Sequence, residues 1–105
     1  MPAKINILPS ANSDVADIVT KMSDYSPRAA KKFYTSVFQT IEWLSRVPFG
    51  GAILDTILEQ LPSMRYARVK RFKNYIIFYE ASETEIVIHH IVDGRRDYIS
   101  DIFDK

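Results

Sequence analysis

The spacing of apolar residues changes along the chain, from helical periodicity in the N-terminal half to strand-like alternation in the C-terminal half. Residues 3–8 alternate between apolar and polar side chains and predict a short first strand, which Pro9 ends. Helical spacing follows, with Ser10 or Ser13 as the N-cap, because a serine side chain accepts a hydrogen bond from an unpaired amide at a helix start. This first helix is predicted to end near Tyr25.

A second helix is predicted to begin at Ser26 and Pro27, a capping serine followed by proline at the first helical position, and to end before Pro48. Its apolar stripe consists of Ala30, Phe33, Tyr34, Val37, Ile41 and Leu44. Because only a few residues separate the two helices, we expect them to pack as an antiparallel hairpin.

Three further strands are predicted in the C-terminal half, over residues 64–72, 75–81 and 86–92, with a turn at 73–74 between the first two. The last two of these strands are apolar on both faces, which is typical of strands that are covered on two sides. A short terminal helix is predicted over residues 98–103.

The stretch over residues 49–62 has the least regular pattern. A turn is expected at Gly50 and Gly51. A short helix that ends at Pro62 would have one apolar face, formed by Ile53, Ile57, Leu58 and Leu61. The whole pattern predicts an α+β fold: a small antiparallel sheet packed on an N-terminal antiparallel helical hairpin, in the order β-α-α-β-β-β-α. We expect a single domain over residues 1–105.

The number of elements also predicts an interaction surface. Two helices cover one face of a small sheet, and only the short terminal helix remains for the other face. Two strands with apolar residues on both faces therefore leave apolar surface exposed, which usually marks a partner site. The alternative is that the terminal helix and residues 49–62 cover this surface.

Composition narrows the class of protein. The chain has 105 residues, no cysteine and a net charge of +1, so disulfides and thiolate chemistry are excluded. It has no apolar run long enough to cross a bilayer and no signal-peptide pattern, so a cytoplasmic location without a membrane partner is expected. No phosphate-binding loop, zinc spacing or acidic metal cluster is present, and we expect neither a metal site nor a cofactor.

Basic residues are concentrated in the sheet region, where five of them and no acid lie between Arg65 and Lys73. The basic set is Arg65, Arg68, Lys70, Arg71, Lys73, Arg95 and Arg96. Tyr66, Arg68 and Lys70 are predicted to share one face of a strand, and basic groups beside an aromatic ring suit contact with an anionic partner or with RNA. The alternative is a solvated edge strand that its charges keep from aggregating.

Two adjacent histidines, His89 and His90, lie on a predicted strand. Neighbouring side chains of a strand point to opposite faces, so these two are not expected to bind one metal ion. We expect them to be hydrogen-bonded structural residues.

The order of elements and several short motifs resemble the RelE/ParE superfamily of bacterial toxin–antitoxin toxins. The motifs are Ser26-Pro27-x-x-Ala30, Leu44 with Pro48 and Gly51, Arg65, Tyr75-Ile-Ile-Phe-Tyr79 and Gly94-Arg-Arg-Asp97. Together they cover nearly the whole chain. RelE-like members cleave mRNA on the ribosome, whereas ParE-like members are associated with inhibition of DNA gyrase.

The resemblance implies a ParE-like toxin rather than a nuclease. Arg68, Lys70 and Arg96 match basic residues of RelE-like toxins and are the catalytic candidates of the nuclease alternative. However, Ile76 and Ile102 stand where RelE-like toxins carry an arginine and a tyrosine. Asp93 replaces the histidine usual before the glycine. We therefore expect a gyrase inhibitor without chemistry of its own; an inactive relative that only binds its antitoxin is a third alternative.

The resemblance also implies a cognate antitoxin, with which the chain would form a hetero-oligomer. We expect an antitoxin segment to cross the helical hairpin and the sheet, with acidic side chains near Arg68, Arg95 and Arg96. The residues predicted to bind partners are Tyr66, Arg68, Lys70, Arg95, Arg96, Asp97 and Tyr98.

Overall fold

A five-stranded sheet with two helices on one face forms the fold. The computed structural model describes residues 2–53 and 64–95. The elements are β1 (Lys4–Ile7), α1 (Pro9–Ser23), α2 (Pro27–Arg46), β2 (Ala52–Ile53), β3 (Met64–Val69), β4 (Phe72–Ala81) and β5 (Glu85–Asp93). The strand order is β1-β5-β4-β3-β2. All neighbouring strands are antiparallel except β1 and β5, which are parallel. The predicted α+β class and helical hairpin are confirmed; the predicted terminal helix lies outside the described residues.

The start of α1 differs from the prediction that a serine caps it. The helix begins at Pro9, and Leu8 occupies the N-cap position with extended backbone and no side-chain cap. Proline suits the first helical turn because its missing N–H would have no partner there. The Ser10 hydroxyl instead donates a hydrogen bond to the His89 carbonyl oxygen at 2.7 Å, and so ties α1 to β5.

The start of α2 is as predicted, since the Ser26 hydroxyl accepts a hydrogen bond from the Ala29 amide at 3.1 Å. Five residues of the predicted stripe are at most 2% exposed, namely Ala30, Phe33, Val37, Ile41 and Leu44. Tyr34 was wrongly placed in the stripe: it is 53% exposed, and Ser36 and Thr40 are buried instead. Neither α1 nor α2, the helices of the described residues, is long and apolar enough to span a membrane.

Apolar side chains are buried on both faces of the sheet. The larger cluster lies between the sheet and the helices and includes Ile77 and Tyr79 of β4. On the other face, Met64, Ile76 and Phe78 form a second cluster and are each 4% exposed or less. The prediction that apolar side chains are exposed on this face is therefore wrong for Met64, Ile76 and Phe78. The exposed large apolar side chains of the described chain are Ile5, Tyr25, Tyr34, Trp43, Val47, Phe49 and Ile53.

The turn between β3 and β4 lies at Lys70 and Arg71, not at 73–74 as predicted. Val69 pairs with Phe72, and the register shifts between Arg68 and Val69. Arg71 adopts a left-handed conformation with φ of 68° and closes a tight turn. Glycine is common at such a position, but this turn contains none, so the sequence pattern does not indicate where the turn lies. A polar pair at 73–74 therefore belongs to β4 itself.

Residues 49–62 also differ from the prediction where they are described. Ile53 belongs to the short edge strand β2, which pairs with β3 through Ala52–Tyr66 and Ile53–Arg65, and not to a helix. The remaining residues of the predicted helix, Ile57, Leu58 and Leu61, lie outside the described residues.

Candidate partner-binding surface

A pocket of about 350 Å³ lies between α2 and the β3–β4 hairpin. It is lined by Gln39, Thr40, Trp43, Arg68 and Lys70. The structure thus places Arg68 and Lys70 at one site, as predicted, although Lys70 belongs to the turn and not to the strand. The opposite wall of the pocket comes from one side of α2.

Thr40 attaches the hairpin to the helix at this pocket. Its hydroxyl accepts a hydrogen bond from the Lys70 amide at 3.0 Å and donates one to the Ser36 carbonyl oxygen at 2.7 Å. The Arg68 guanidinium donates to the Lys73 carbonyl oxygen at 2.9 Å, across the turn. No ion pair within the described residues joins Arg68 or Lys70 to a carboxylate. Both positive charges are therefore exposed and not neutralised by an acidic neighbour in this part of the chain.

Sequence reasoning missed Trp43, which is the only tryptophan of the chain. Its side chain is 50% exposed and forms part of the pocket. A Cβ atom added to Gly50 would lie 2.8 Å from the Trp43 ring, so the chain after α2 packs directly against the indole. The available signal was its position: a large aromatic residue off the buried stripe of an amphipathic helix has no core to enter.

Arg65 belongs to the predicted basic set, but its guanidinium is held by the chain that follows α2. It donates hydrogen bonds to the carbonyl oxygens of Phe49 at 3.1 Å and Gly51 at 2.8 Å. Its charge also lies over the Phe49 ring, 5.1 Å from the centroid, a favourable cation–π position. Arg65 therefore shapes the edge of the sheet.

Tyr66 is two residues before Arg68 on β3, and it is not among the described residues that line the pocket. It is half-buried and packs with the second apolar cluster, 6.4 Å from the Phe78 ring centroid. Ile76 belongs to the same cluster. The position at which RelE-like toxins carry an arginine is thus a buried apolar site in this protein.

Arg95 lies at the other end of β5, in an ion pair with Asp93. Its Nε and Nη2 atoms donate to the two Asp93 carboxylate oxygens at 2.9 and 2.7 Å. These hydrogen bonds and the Asp93 charge raise the pKa of the guanidinium. Burial, followed by the Asp93 charge, raises the pKa of the nearby Tyr75 phenol. Arg95 is therefore an exposed cation that forms an ion pair with Asp93. The other residues of this region that were predicted to bind a partner protein, Arg96, Asp97 and Tyr98, lie outside the described residues.

The two histidines have carboxylate partners on different elements, so both are hydrogen-bonded, as predicted. His89 Nε2 lies 2.6 Å from Glu80 Oε1, and His90 Nδ1 lies 2.9 Å from Asp14 Oδ2. The same Asp14 oxygen accepts a hydrogen bond from the Ile91 amide at 3.0 Å. Asp14 therefore joins α1 to β5, a role that sequence reasoning missed. Within the described residues, no group of three or more potential metal ligands comes together.

Comparisons with known proteins identify the family. The family described as "ParE toxin of type II toxin-antitoxin system, parDE" matches residues 5–98. The chain therefore belongs to the ParE toxin family of type II toxin–antitoxin systems. No curated protein sequence gives a match.

Solved structures share the fold. A chain of the chromosomal ParDE toxin–antitoxin system from P. aeruginosa is similar with a TM-score of 0.71 and 18% identity, over 87% of this chain and 95% of that one. A chain of the RelBE2 toxin–antitoxin complex from Mycobacterium tuberculosis is similar with a TM-score of 0.57 and 21% identity, over 89% of this chain and 99% of that one. At these identities the likeness concerns the fold alone.

Proposed function

We propose that this ParE-family toxin inhibits DNA gyrase by binding it, without chemistry of its own, and that a cognate antitoxin neutralises it. The observation that carries the proposal is the match of the ParE toxin family over residues 5–98. Inhibition of gyrase is the action associated with ParE-like members of the superfamily. The action would take place in the cytoplasm, where gyrase and DNA are found.

The apolar environment of Ile76 supports binding over RNA cleavage. Cleavage without a metal needs charged groups that stabilise the negative charge on the reacting phosphate. Ile76 is 4% exposed between Met64 and Phe78, so a position that carries a cation in RelE-like toxins offers none here. Arg68 and Lys70 remain available for contact with a partner.

The antitoxin is proposed from the two similar structures, both of which are toxin–antitoxin systems. Its acidic side chains would lie near Arg68 and Arg95, which are exposed cations. A small ribbon-helix-helix protein encoded beside this chain would identify the antitoxin candidate. Gel filtration of the two proteins expressed together would then show a hetero-oligomer.

A purified gyrase assay tests the target. We expect the toxin to reduce supercoiling of relaxed plasmid and to cause the accumulation of cleaved DNA, and we expect the antitoxin to reverse both effects. In cells, induction should stop replication before translation. Phe33→Ala, which removes a buried core ring, is the control for a misfolded toxin.

The second candidate function is a ribosome-dependent endoribonuclease that uses Arg68, Lys70 and Arg96. One observation favours it: Arg68 and Lys70 line the same pocket. Codon-specific mRNA cleavage on ribosomes, with gyrase unaffected, would establish this alternative and reject gyrase as the target. If the folded toxin affects neither gyrase nor ribosomes but binds the antitoxin, the protein is an inactive relative.

A further inference from the structure

The pocket between α2 and the β3–β4 hairpin combines three kinds of groups: cations, an aromatic ring and a side-chain amide. Arg68 and Lys70 provide two exposed positive charges. Trp43 provides a flat, half-exposed indole, and the Gln39 amide provides a hydrogen-bond donor and acceptor. The volume of about 350 Å³ is at the lower end of the range of about 300–1,000 Å³ that is common for small-ligand pockets.

We propose that this pocket binds one nucleotide unit of single-stranded DNA, with the base stacked on Trp43 and the phosphate held by Arg68 and Lys70. Guanidinium and ammonium groups donate hydrogen bonds to phosphate oxygens, and the two cations lie on the hairpin side of the pocket. The indole lies on the helix side. A base and its own phosphate are separated by the sugar, so a nucleotide reaches both walls.

The walls of the pocket are held in place, which favours a binding site over two unrelated surface features. The Thr40 hydroxyl connects α2 to the Lys70 amide, and the Arg68 guanidinium is oriented by its hydrogen bond to the Lys73 carbonyl oxygen. Gly50 packs against the edge of the Trp43 ring. A ligand therefore does not have to order the backbone on which these side chains stand, and this lowers the entropic cost of binding.

A nucleotide fits these groups better than an acidic peptide does. Carboxylates would satisfy Arg68 and Lys70 but leave the Trp43 face without a flat partner. Each nucleobase has a π-face, and stacking on an aromatic side chain contributes about 1–3 kcal/mol per base. The choice of DNA rests on the proposed function, because gyrase acts on DNA. An antitoxin carboxylate near Arg68 would compete with the DNA phosphate for the same cation.

Titration with a short oligothymidylate tests the proposal without gyrase. We expect binding to quench the fluorescence of Trp43, the only tryptophan, and the affinity to fall as salt rises. Arg68→Gln with Lys70→Gln should weaken binding and reduce the slope of log affinity against log salt by about 0.7, since the two side chains hold one phosphate and single strands contribute about 0.7 per neutralised phosphate. Trp43→Ala should weaken binding about 5- to 160-fold, measured by the anisotropy of a labelled oligothymidylate.

The matched control is Lys31→Gln with Lys32→Gln, which removes two exposed positive charges from an earlier part of α2. We expect it to leave the quenching of Trp43 and the salt slope nearly unchanged. Circular dichroism of each variant checks the fold, and the quenching experiment on the unmodified chain does not depend on any variant.

Four results would overturn the proposal. Equal losses in the pocket pair and the control pair would mean general electrostatic attraction. Equal quenching by polyglutamate of matched length would make the pocket a peptide site, and tighter binding of oligouridylate would make RNA the ligand. Failure of DNA binding with gyrase still inhibited rejects the nucleotide site alone. DNA binding with gyrase unaffected rejects the proposed target alone.

Discussion

The hydroxyl of Tyr79, in the middle of the sheet, donates a hydrogen bond to the carbonyl oxygen of Pro48 at 2.9 Å. The Tyr79 hydroxyl oxygen in turn accepts a hydrogen bond from the Gly51 amide, also at 2.9 Å. A Cβ atom at position 51 would lie 2.5 Å from this hydroxyl and 2.7 Å from the Tyr66 carbonyl oxygen, so only glycine fits. A core residue of β4 therefore determines the path of the chain between α2 and β2.

Tyr79→Phe should destabilise the protein by about 1–3 kcal/mol at neutral pH. The substitution keeps the buried ring but leaves the Gly51 amide, in a buried residue, without its hydrogen-bond acceptor, and an unsatisfied buried group costs about this amount. Urea unfolding measures the change. Tyr34→Phe removes a hydroxyl from an exposed ring and should change the free energy of unfolding by less than about 0.5 kcal/mol.

The stability difference between the unmodified protein and Tyr79→Phe should shrink above about pH 10. Burial raises the pKa of the Tyr79 phenol above its ordinary value of 10.0, while the Gly51 hydrogen bond and the Arg65 charge oppose this less strongly. A raised pKa means that the unfolded chain loses the proton first, so folding loses stability as pH rises from about 10 toward the folded-state pKa. Phenylalanine does not titrate. Urea unfolding of both proteins at pH 8 and at alkaline pH makes the comparison, and a difference that grows with pH would contradict the assignment.

Phe33→Ala should destabilise the protein by about 3–5 kcal/mol. Phe33 is 0% exposed, and its ring packs edge-on against Phe72 and Tyr75 with centroid distances of 5.3 and 4.8 Å. Its neighbour Tyr34 provides the control, because that ring is 53% exposed, and Tyr34→Ala should cost under about 1 kcal/mol. Equal losses in the two variants would mean that the Phe33 ring is not part of the core.

Thr40→Val should loosen the β3–β4 turn while leaving the helix in place. Valine keeps the shape of threonine but removes the oxygen that accepts from the Lys70 amide. We expect faster hydrogen exchange at the Lys70 amide and a loss of about 1–2 kcal/mol. Thr35→Val is the matched control on the same helix, since the Thr35 hydroxyl bonds only to the Lys31 carbonyl oxygen among the contacts described. Unchanged exchange at Lys70 would contradict this role of Thr40.

Arg95→Ala should slow association with the antitoxin severalfold at low salt and leave dissociation almost unchanged. The Arg95 side chain is 62% exposed, and exposed charges at the rim of an interface act mainly on the approach of the partner. The effect should fade at high salt, because screening weakens exposed charges. Lys4→Ala, at an exposed position of the edge strand β1, is the control. Faster dissociation would instead place Arg95 in a buried contact.

The fold was predictable because its elements depend on repeating patterns. The stripe from Phe33 to Leu44 repeats over several turns, and alternation in β4 assigns Ile77 and Ile76 to opposite faces, as observed. The β3–β4 turn was not predictable, because it depends on the left-handed conformation of a single arginine, Arg71. That conformation is uncommon for residues other than glycine.

The candidate site was predictable only in part, because it depends on contacts between distant segments. The charges of Arg68 and Lys70 were visible in the sequence, but the pocket that both residues line was not. The other wall requires α2 to pack beside β3, and the hydrogen bond between Thr40 and Lys70 joins residues 30 positions apart. The Arg65 guanidinium donates hydrogen bonds to the Phe49 and Gly51 carbonyl oxygens, which are also distant in sequence. Counting basic residues in the sequence therefore overestimated the number that are available to a partner.

The parallel pairing of β1 with β5 has a consequence for the synthesis of this protein on the ribosome. The first strand finds its partner only when the last strand has been made, and the hydrogen bond from Ser10 to His89 spans 79 residues. Contacts of such separation form late in folding, because the chain must first close a long loop. A nascent chain without β5 has both helices but lacks Ile86, Ile88 and Ile91 of the core. The core is therefore complete only after β5 has been translated, and we expect a chain that is released before that point to be a substrate for proteases.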